Sequence, residues 1–347
     1  MAELKNTKGI PIRYIEGDPP NPIEGQLWFN ASTSQLKGAV GGGASAGTWS
    51  SGGALNTAGA FRSAAGTQTQ ALAMSGDAAP GYLTNVEAYD GSSWTEIADV
   101  SNARGNGAGN GAYTSALVYT GSTPSPTYAT TGTIQTESWN GSAWSEVSDL
   151  NTARRDLGDG IGESNTAALA CPGRNSPPIT AITDTVEQWN GSSWTEVAEL
   201  NNLRFSIGGA GSSTSSIIMG GRGSPAGAGG APEGTALVES WNGSSWTETT
   251  EFNTRRTAAG GTGTTNTAAL LFGGYQAVSP VGATTRTEDW NGSSWTEVAD
   301  LAVARYDIDG TGTSSLAITF GGYHPSYRTD TEEWTAPDLI TKTVTTS

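Results

Sequence analysis

The sequence predicts an all-β chain closed into a ring of repeated four-stranded units. Three observations carry that expectation. A paired-aromatic motif returns along most of the chain, each copy frames a glycine turn, and no part of the repeat keeps a 3.6-residue apolar period. The motif W-N-G-S-[SA]-W occupies 139–144, 189–194, 241–246 and 290–295, and Y-D-G-S-S-W at 89–94 is a further copy. A repeat of about 50 residues that fills most of a chain is the mark of a repeat architecture.

Each unit reads outward from its aromatic pair. In 256–295 the first strand is RTAAGGTG, the second TAALLFGG, the third TRTEDW and the fourth WTEV. Asn-Gly between the last two supplies the positive φ angles of a tight hairpin. Repeated four-stranded units of this length indicate a β-propeller and not a helical solenoid.

The aromatics also give the unit count. Second-position tryptophans are Trp49, Trp94, Trp144, Trp194, Trp246 and Trp295; first-position aromatics are Tyr89, Trp139, Trp189, Trp241, Trp290 and Trp334. Each set has six members, but they are offset. Trp49 lacks a partner before it and Trp334 lacks one after it. A six-bladed ring follows, spanning 46–336, in which the strand at 48–51 pairs with the strand at 330–334 and leaves no open edge.

On these residues the chain resembles the kelch-repeat family. The shared features are an apolar run into Gly-Gly (Gly220-Gly221, Gly273-Gly274, Gly321-Gly322), the aromatic before the turn, the tryptophan after it, and a downstream arginine. The chain departs from the family in its very short turn and where Gly-Gly becomes Pro172-Gly173 or Ser75-Gly76. The resemblance implies a fold and not an activity, because propellers host enzymes, adaptors and binding modules alike.

Composition narrows the function. Lys and Arg number 17 against 33 Asp and Glu, a net charge of −16, which disfavours nucleic acid and anionic membranes. No apolar run is long enough to span a bilayer and no secretory leader is recognisable, so a soluble chain without membrane insertion is expected. The single cysteine, Cys171, lies in an apolar run and reads as a buried thiol. Abundant glycine in GNGAGNG, IGGAG and AAGGTG suits innermost strands crowded about an axis.

A carboxylate and a cation recur with the aromatics. Glu87, Glu137, Glu187, Glu239, Glu288 and Glu332 precede the first aromatic by two residues. Arg104, Arg154 or Arg155, Arg204, Arg256 and Arg305 open the first strands, with Gly59 at that place in the first unit. A ring of ion pairs linking strands or blades is expected, since arginine forks favour carboxylates.

Chemistry-bearing constellations are few. His324 is the sole histidine, too little for the two-histidine copper centre of galactose-oxidase-like propellers or for a zinc site. No cofactor, metal or catalytic residue is assigned. Asp156, Asp159, Asp307 and Asp309 fall near the axis, where Ca²⁺ or solvent are the two readings. The N-G-S turns match glycosylation acceptors but read as turns.

The ends and loops divide the remaining roles. Residues 1–45 are not a repeat. GDPPNPIEGQLWFNASTSQLKGAVGGG is similar to N-terminal segments of bacteriophage tail-fibre and virion proteins, which implies attachment through Leu27, Trp28 and Phe29 to other virion proteins or to copies of the chain. Residues 337–347 read as a tail or one extra strand, on the propeller edge or on a neighbouring subunit. Between second and third strands lie six divergent segments, 77–85, 121–132, 174–184, 222–234, 276–286 and 324–330. Strand alternation puts them on one face, with Tyr82, Tyr128, Arg174, Arg286, Tyr323 and Tyr327 as binding candidates. The sequence therefore predicts a non-enzymatic phage tail or fibre protein that presents this face to a host-surface glycan or protein, with Trp49, Trp94, Trp144, Trp194, Trp246, Trp295 and Trp334 as framework. The alternatives are a carbohydrate-active or oxidase-like propeller enzyme, and a cellular interaction adaptor.

Overall fold

The structure, a computed structural model, describes residues 12–18, 26–41, 46–123, 131–175, 182–223, 234–276, 281–337 and 339–343. Among these there are strands, bridges and turns but no helix, and so none long and apolar enough to cross a membrane. The chain divides into two units, Met1–Thr48 with Ala336–Ser347, and Trp49–Thr335.

In the larger unit, five four-stranded antiparallel sheets follow one another in the chain. Their first and last strands are Ser63–Thr67 and Trp94–Glu96 in sheet 1, Ala108–Ala112 and Trp144–Val147 in sheet 2, Ile161–Ser164 and Trp194–Glu196 in sheet 3, Gly208–Ser212 and Trp246–Thr249 in sheet 4, and Gly260–Thr265 and Trp295–Glu297 in sheet 5. Sheet 6 joins Asp309–Gly312, Leu316–Phe320 and Thr331–Thr335 to Thr48–Ser51, a strand from the other end of the chain. The Gly52 amide donates to the Thr331 carbonyl at 2.9 Å beside it. First strands contact one another in a circuit that passes through all six sheets and returns from sheet 6 to sheet 1.

The aromatic pairs face each other across the third and fourth strands. Trp139 is in register with Trp144, Trp189 with Trp194, Trp241 with Trp246 and Trp290 with Trp295. Their ring centroids lie 5.2–5.4 Å apart, and Trp49 and Trp334 repeat the contact at 5.5 Å. The turn between them differs from the expected one. Only the glycine takes positive φ, 92° at Gly141, Gly191, Gly243 and Gly292. The Asn side chain instead accepts from the amides two and three residues on: Asn190 Oδ1 receives Ser192 N at 2.9 Å and Ser193 N at 3.0 Å. Glycine thus stands at the first central position, as in a II′ hairpin, and Asn acts through its side chain.

Packing runs between sheets. Leu72, Met74 and Val86 of sheet 1 cluster with Ala116, Val118 and Trp139 of sheet 2, and Ile161, Leu169 and Val186 of sheet 3 with Ile218, Trp241 and Trp246 of sheet 4. First-position indoles donate within their own sheet, Trp189 Nε1 to Asn165 O at 3.0 Å. Three second-position indoles reach the preceding sheet, Trp94 to Thr331 Oγ1 at 2.9 Å, Trp194 to Thr136 Oγ1 at 3.1 Å, and Trp49 to Thr287 Oγ1 at 3.0 Å, whereas the buried Trp246 Nε1 has no partner among the described residues. Trp144 and Trp49 are half-buried; Trp94, Trp194, Trp246, Trp295 and Trp334 are buried.

The charge pairs are buried, and each lies within one unit of the repeat. Arg104, Arg154, Arg204, Arg256 and Arg305 meet Glu137, Glu187, Glu239, Glu288 and Glu332. The partner in the third sheet is thus Arg154, not Arg155. In the first sheet Arg62 takes the place expected of Gly59 and lies 3.5 Å from Glu87. The carboxylates also hold the connection that leads into their sheet: Glu187 accepts from Asn151 N at 2.8 Å and Asn151 Nδ2 at 2.7 Å.

Glycine in the first strands has two causes, where crowding about the axis was expected to be the only one. An added Cβ at Gly160 would lie 2.1 Å from Gly109 O of the neighbouring sheet, so crowding holds there. Gly211 has φ of 112°, and its Cβ would lie 2.3 Å from Ser215 O in its own hairpin. That position is set by the hairpin and not by the axis.

In the smaller unit Arg13–Ile15 runs parallel to Leu27–Asn30, which pairs antiparallel with Gln35–Gly41, and Leu339–Thr343 completes the sheet. The C-terminal segment is therefore a strand of the N-terminal unit, and neither a free tail nor an addition to the ring. Asp18 organises the hairpin, accepting from Trp28 Nε1 at 3.0 Å and Asn30 Nδ2 at 2.7 Å and pairing with Lys37 Nζ at 2.9 Å. Lys37 and Asn30 hold its carboxyl down at about 2. Trp28, expected to be covered by another chain, is fully buried in its own. The pleat explains this: Trp28 and Asn30 share the buried face of their strand, while Leu27 and Phe29 lie half-buried on the other. Tyr14, 65% exposed, stacks on Phe29 at 5.2 Å.

Candidate functional site

The connections that enter the first strands converge at one end of the ring's axis. Six non-glycine residues there adopt left-handed backbone, one before each first strand: Phe61, Asn106, Asp156, Ser206, Ala258 and Asp307, with φ between 51° and 58°. Such backbone costs about 1–2 kcal/mol for an L-residue. Hydrogen bonds between neighbours offset that cost. Asp156 N donates to Asn106 O, Ser206 N to Asp156 O, Ala258 N to Ser206 O, Asp307 N to Ala258 O and Phe61 N to Asp307 O, all at 2.8–3.0 Å. The six side chains are thereby held around one opening. From sheet 2 to sheet 6 the left-handed residue follows the buried arginine by two positions, a spacing that the sequence alone displays.

Above this ring lies a bowl of about 590 Å³, bordered by Phe61, Asn106, Phe205, Ser206, Arg222, Tyr275, Tyr306 and Asp307 among others. Two of these, Tyr275 and Tyr306, begin a chain of four tyrosines. Tyr275 meets Tyr306 at 5.3 Å, Tyr306 meets Tyr323 at 5.7 Å, and Tyr323 meets Tyr327 at 5.3 Å. The Tyr327 hydroxyl bonds to Asp77 and is pushed up to about 12 by burial and by that carboxylate. The Arg174 guanidinium lies 3.8 Å over the Phe205 ring and 3.5 Å from Asp156.

The carboxyls at the opening differ in surroundings. Asp156 has Arg174 and Arg155 beside it, although burial still raises its carboxyl. Asp307 has no ion pair or side-chain hydrogen bond among the described residues, and burial with Asp156 and Asp77 nearby pushes it well above the usual range. Below them Asp159 of sheet 3 and Asp309 of sheet 6 hydrogen-bond to each other across the axis. Asp159 also accepts from Gly209 N at 2.8 Å and from Gly261 N, and Asp309 from Ala64 N at 3.0 Å. Burial raises both, Asp309 to about 6. Two buried carboxyls in contact share one proton. They separate the bowl from a glycine-lined channel of about 280 Å³ beyond. Among the described residues no three His, Cys, Asp or Glu side chains are grouped to hold a metal ion.

The sequence candidates fare unequally. Tyr323 and Arg174 touch the lining residues Tyr306 and Phe205, and Tyr327 touches Tyr323, but none of the three lines the bowl itself. Tyr82 is half-buried, bonds to Ser122 and would clash with a side chain at Gly105, so it packs between sheets 1 and 2. Arg286 is held by both oxygens of Glu297 at 2.9 Å, within its own sheet. Tyr128 lies outside the described residues. Tyr275 and Tyr306 were missed; the G-G-Y shared by 273–275 and 321–323 is the signal that would have found Tyr275. Cys171 is buried and its thiol is pushed up to about 12.

No family model matches the chain. No curated protein matches it either. A solved structure described as "Structure of YjhT" is similar to it, with a TM-score of 0.66 at 11% identity, covering 83% of this chain and 99% of that one. At that identity the likeness speaks of fold alone.

Proposed function

We propose that the chain is a six-bladed, kelch-like β-propeller mounted by its terminal unit, and that it serves as a non-enzymatic structural protein of a phage tail or fibre whose loop face engages the host surface. The observation that carries this reading is the division of the chain. Both termini belong to one unit with its own sheet, while the bowl and its tyrosines belong wholly to the other. Mounting and binding can then reside in separate parts of one molecule. The exposed Tyr14 on Phe29 and half-buried Leu27 keep an apolar surface on the terminal sheet available for other virion proteins or for a second copy. The G-x-L-W-x-N hairpin adds its resemblance to virion segments.

The test is fractionation of particles from the source of the gene. The chain should copurify with intact particles in whole-number proportion to the tail proteins, and purified chain should compete with particles for adsorption to host cells. A chain found only in the cell fraction would overturn the virion assignment.

One observation favours a second reading, a carbohydrate-active enzyme. Asp156 with arginines beside it and Asp307 without a partner are carboxyls whose surroundings differ, as acid–base pairs require. Turnover of a host polysaccharide by purified chain, lost in Asp307→Asn, would replace the non-enzymatic reading.

A further inference from the structure

We propose that the axial bowl is a binding site for an uncharged saccharide of one or two rings. The inference deepens the proposed loop-face binding and rests on it only for biological context. Its grounds are size, surface chemistry and charge.

The volume of about 590 Å³ falls within the roughly 300–1,000 Å³ of small-molecule sites. Four aromatic rings line its wall. Tyr275 and Tyr306 touch each other, and Phe61 and Phe205 come from other connections, offering the electron-rich ring faces against which the C–H faces of a pyranose pack. Among them stand polar groups with no hydrogen-bond partner for their side chains among the described residues: Asn106, Ser206, Asp307 and the hydroxyls of Tyr275 and Tyr306. Donors and acceptors are mixed, as a ring of hydroxyls requires. The backbone ring that carries Asn106, Ser206 and Asp307 is hydrogen-bonded from sheet to sheet, so the groups are positioned before a ligand arrives.

Charge decides the class. Arg155 and Arg174 stand beside Asp156 and Arg222 borders the bowl, while Asp307, with Asp77 nearby, has no ion pair among the described residues; three cations face three carboxyls, and no surplus positive charge is left to select an anion. A carboxylated or sulfated sugar would add negative charge to a bowl that already carries Asp156 and Asp307 on its border. An uncharged sugar meets Asp307 as a hydrogen-bond acceptor.

The experiment is saturation-transfer NMR and calorimetry on the purified full chain with maltose, lactose and cellobiose, and with digalacturonic acid as the acidic counterpart. At least one uncharged disaccharide should saturate a single site, and digalacturonic acid should bind about ten-fold more weakly or worse. Tyr306→Ala should weaken uncharged binding about ten-fold, the worth of one good contact. Asn106→Gly, which keeps the left-handed backbone and removes only the amide, is the second variant and should weaken it at least about three-fold. Asp307→Asn should narrow the gap between acidic and uncharged sugars. Failure of every uncharged sugar to saturate, affinity unchanged in both Tyr306→Ala and Asn106→Gly, or a preference for the acidic sugar would overturn the proposal. The measurement is made in solution, so its failure leaves the particle assignment standing, and absence from particles leaves the saccharide site standing.

Discussion

Gly191 and Arg154 show two ways in which a single residue holds this fold. Gly191 sits at φ 92° with its nearest neighbour, Thr166, 3.4 Å from an added Cβ. Space is available and the backbone is the constraint. Gly191→Ala should therefore cost about 1–2 kcal/mol in denaturant unfolding, with the hairpin intact by NMR. Arg154 and Glu187 are both fully buried. Removing one leaves the other charged and unpaired, so Arg154→Met should cost about 3–5 kcal/mol. Arg154→Met with Glu187→Leu should cost less than the sum, because the orphaned carboxylate is gone. A strictly additive pair would mean that the two groups do not interact.

At the level of the sheets, the second-position tryptophans bind neighbours together unequally. Trp194 is buried and donates to Thr136 of the preceding sheet, whereas Trp144 is half-buried. Trp194→Ala should cost about 3–5 kcal/mol and Trp144→Ala clearly less, measured by urea unfolding. Equal costs would show that inter-sheet burial is not what Trp194 supplies. The turn chemistry was legible from N-G-S-S-W, but its mechanism was not. Whether Asn acts through its backbone or its side chain depends on which residue takes positive φ, and both choices leave the same dipeptide.

For the whole molecule, the axial carboxyl pair couples stability to pH. Burial raises Asp159 and Asp309 above the ordinary carboxylate range, Asp309 to about 6, so the folded state holds a proton that the unfolded chain has already released. Their contribution is present at low pH and is lost as pH rises through the folded-state value. Stability should therefore fall between about pH 4 and pH 6, with Asp289, raised by burial to about 6, adding to the slope. Asp309→Asn should flatten that segment of the pH–stability curve, read from thermal unfolding in matched buffers. The termini give a second expectation at this scale. Truncation after Thr335 removes Leu339–Thr343 from its pairing with Gln35–Gly41. Hydrogen exchange should then speed in 35–41 while the first strands of the six sheets stay protected. Loss of protection throughout would mean that the two units do not fold separately.

Local chemistry alone determined the all-β class, the four-strand repeat, and the register of tryptophan against tryptophan. Each rests on neighbours within about 50 residues, so period, turn residues and alternation report it directly. Arg62 escaped that reading because it sits after the left-handed residue of its connection, where the other arginines sit before theirs, and only the packed side chain shows that it reaches the same carboxylate. Trp28 escaped it because a hairpin sequence does not say which face of the pleat will be covered. The bowl lay furthest from view. Phe61, Asn106, Asp156, Ser206, Ala258 and Asp307 are about 50 residues apart and differ in kind. They form one site only because closing the sheets into a circuit brings six connections to one axis, and that closure joins the two ends of the chain.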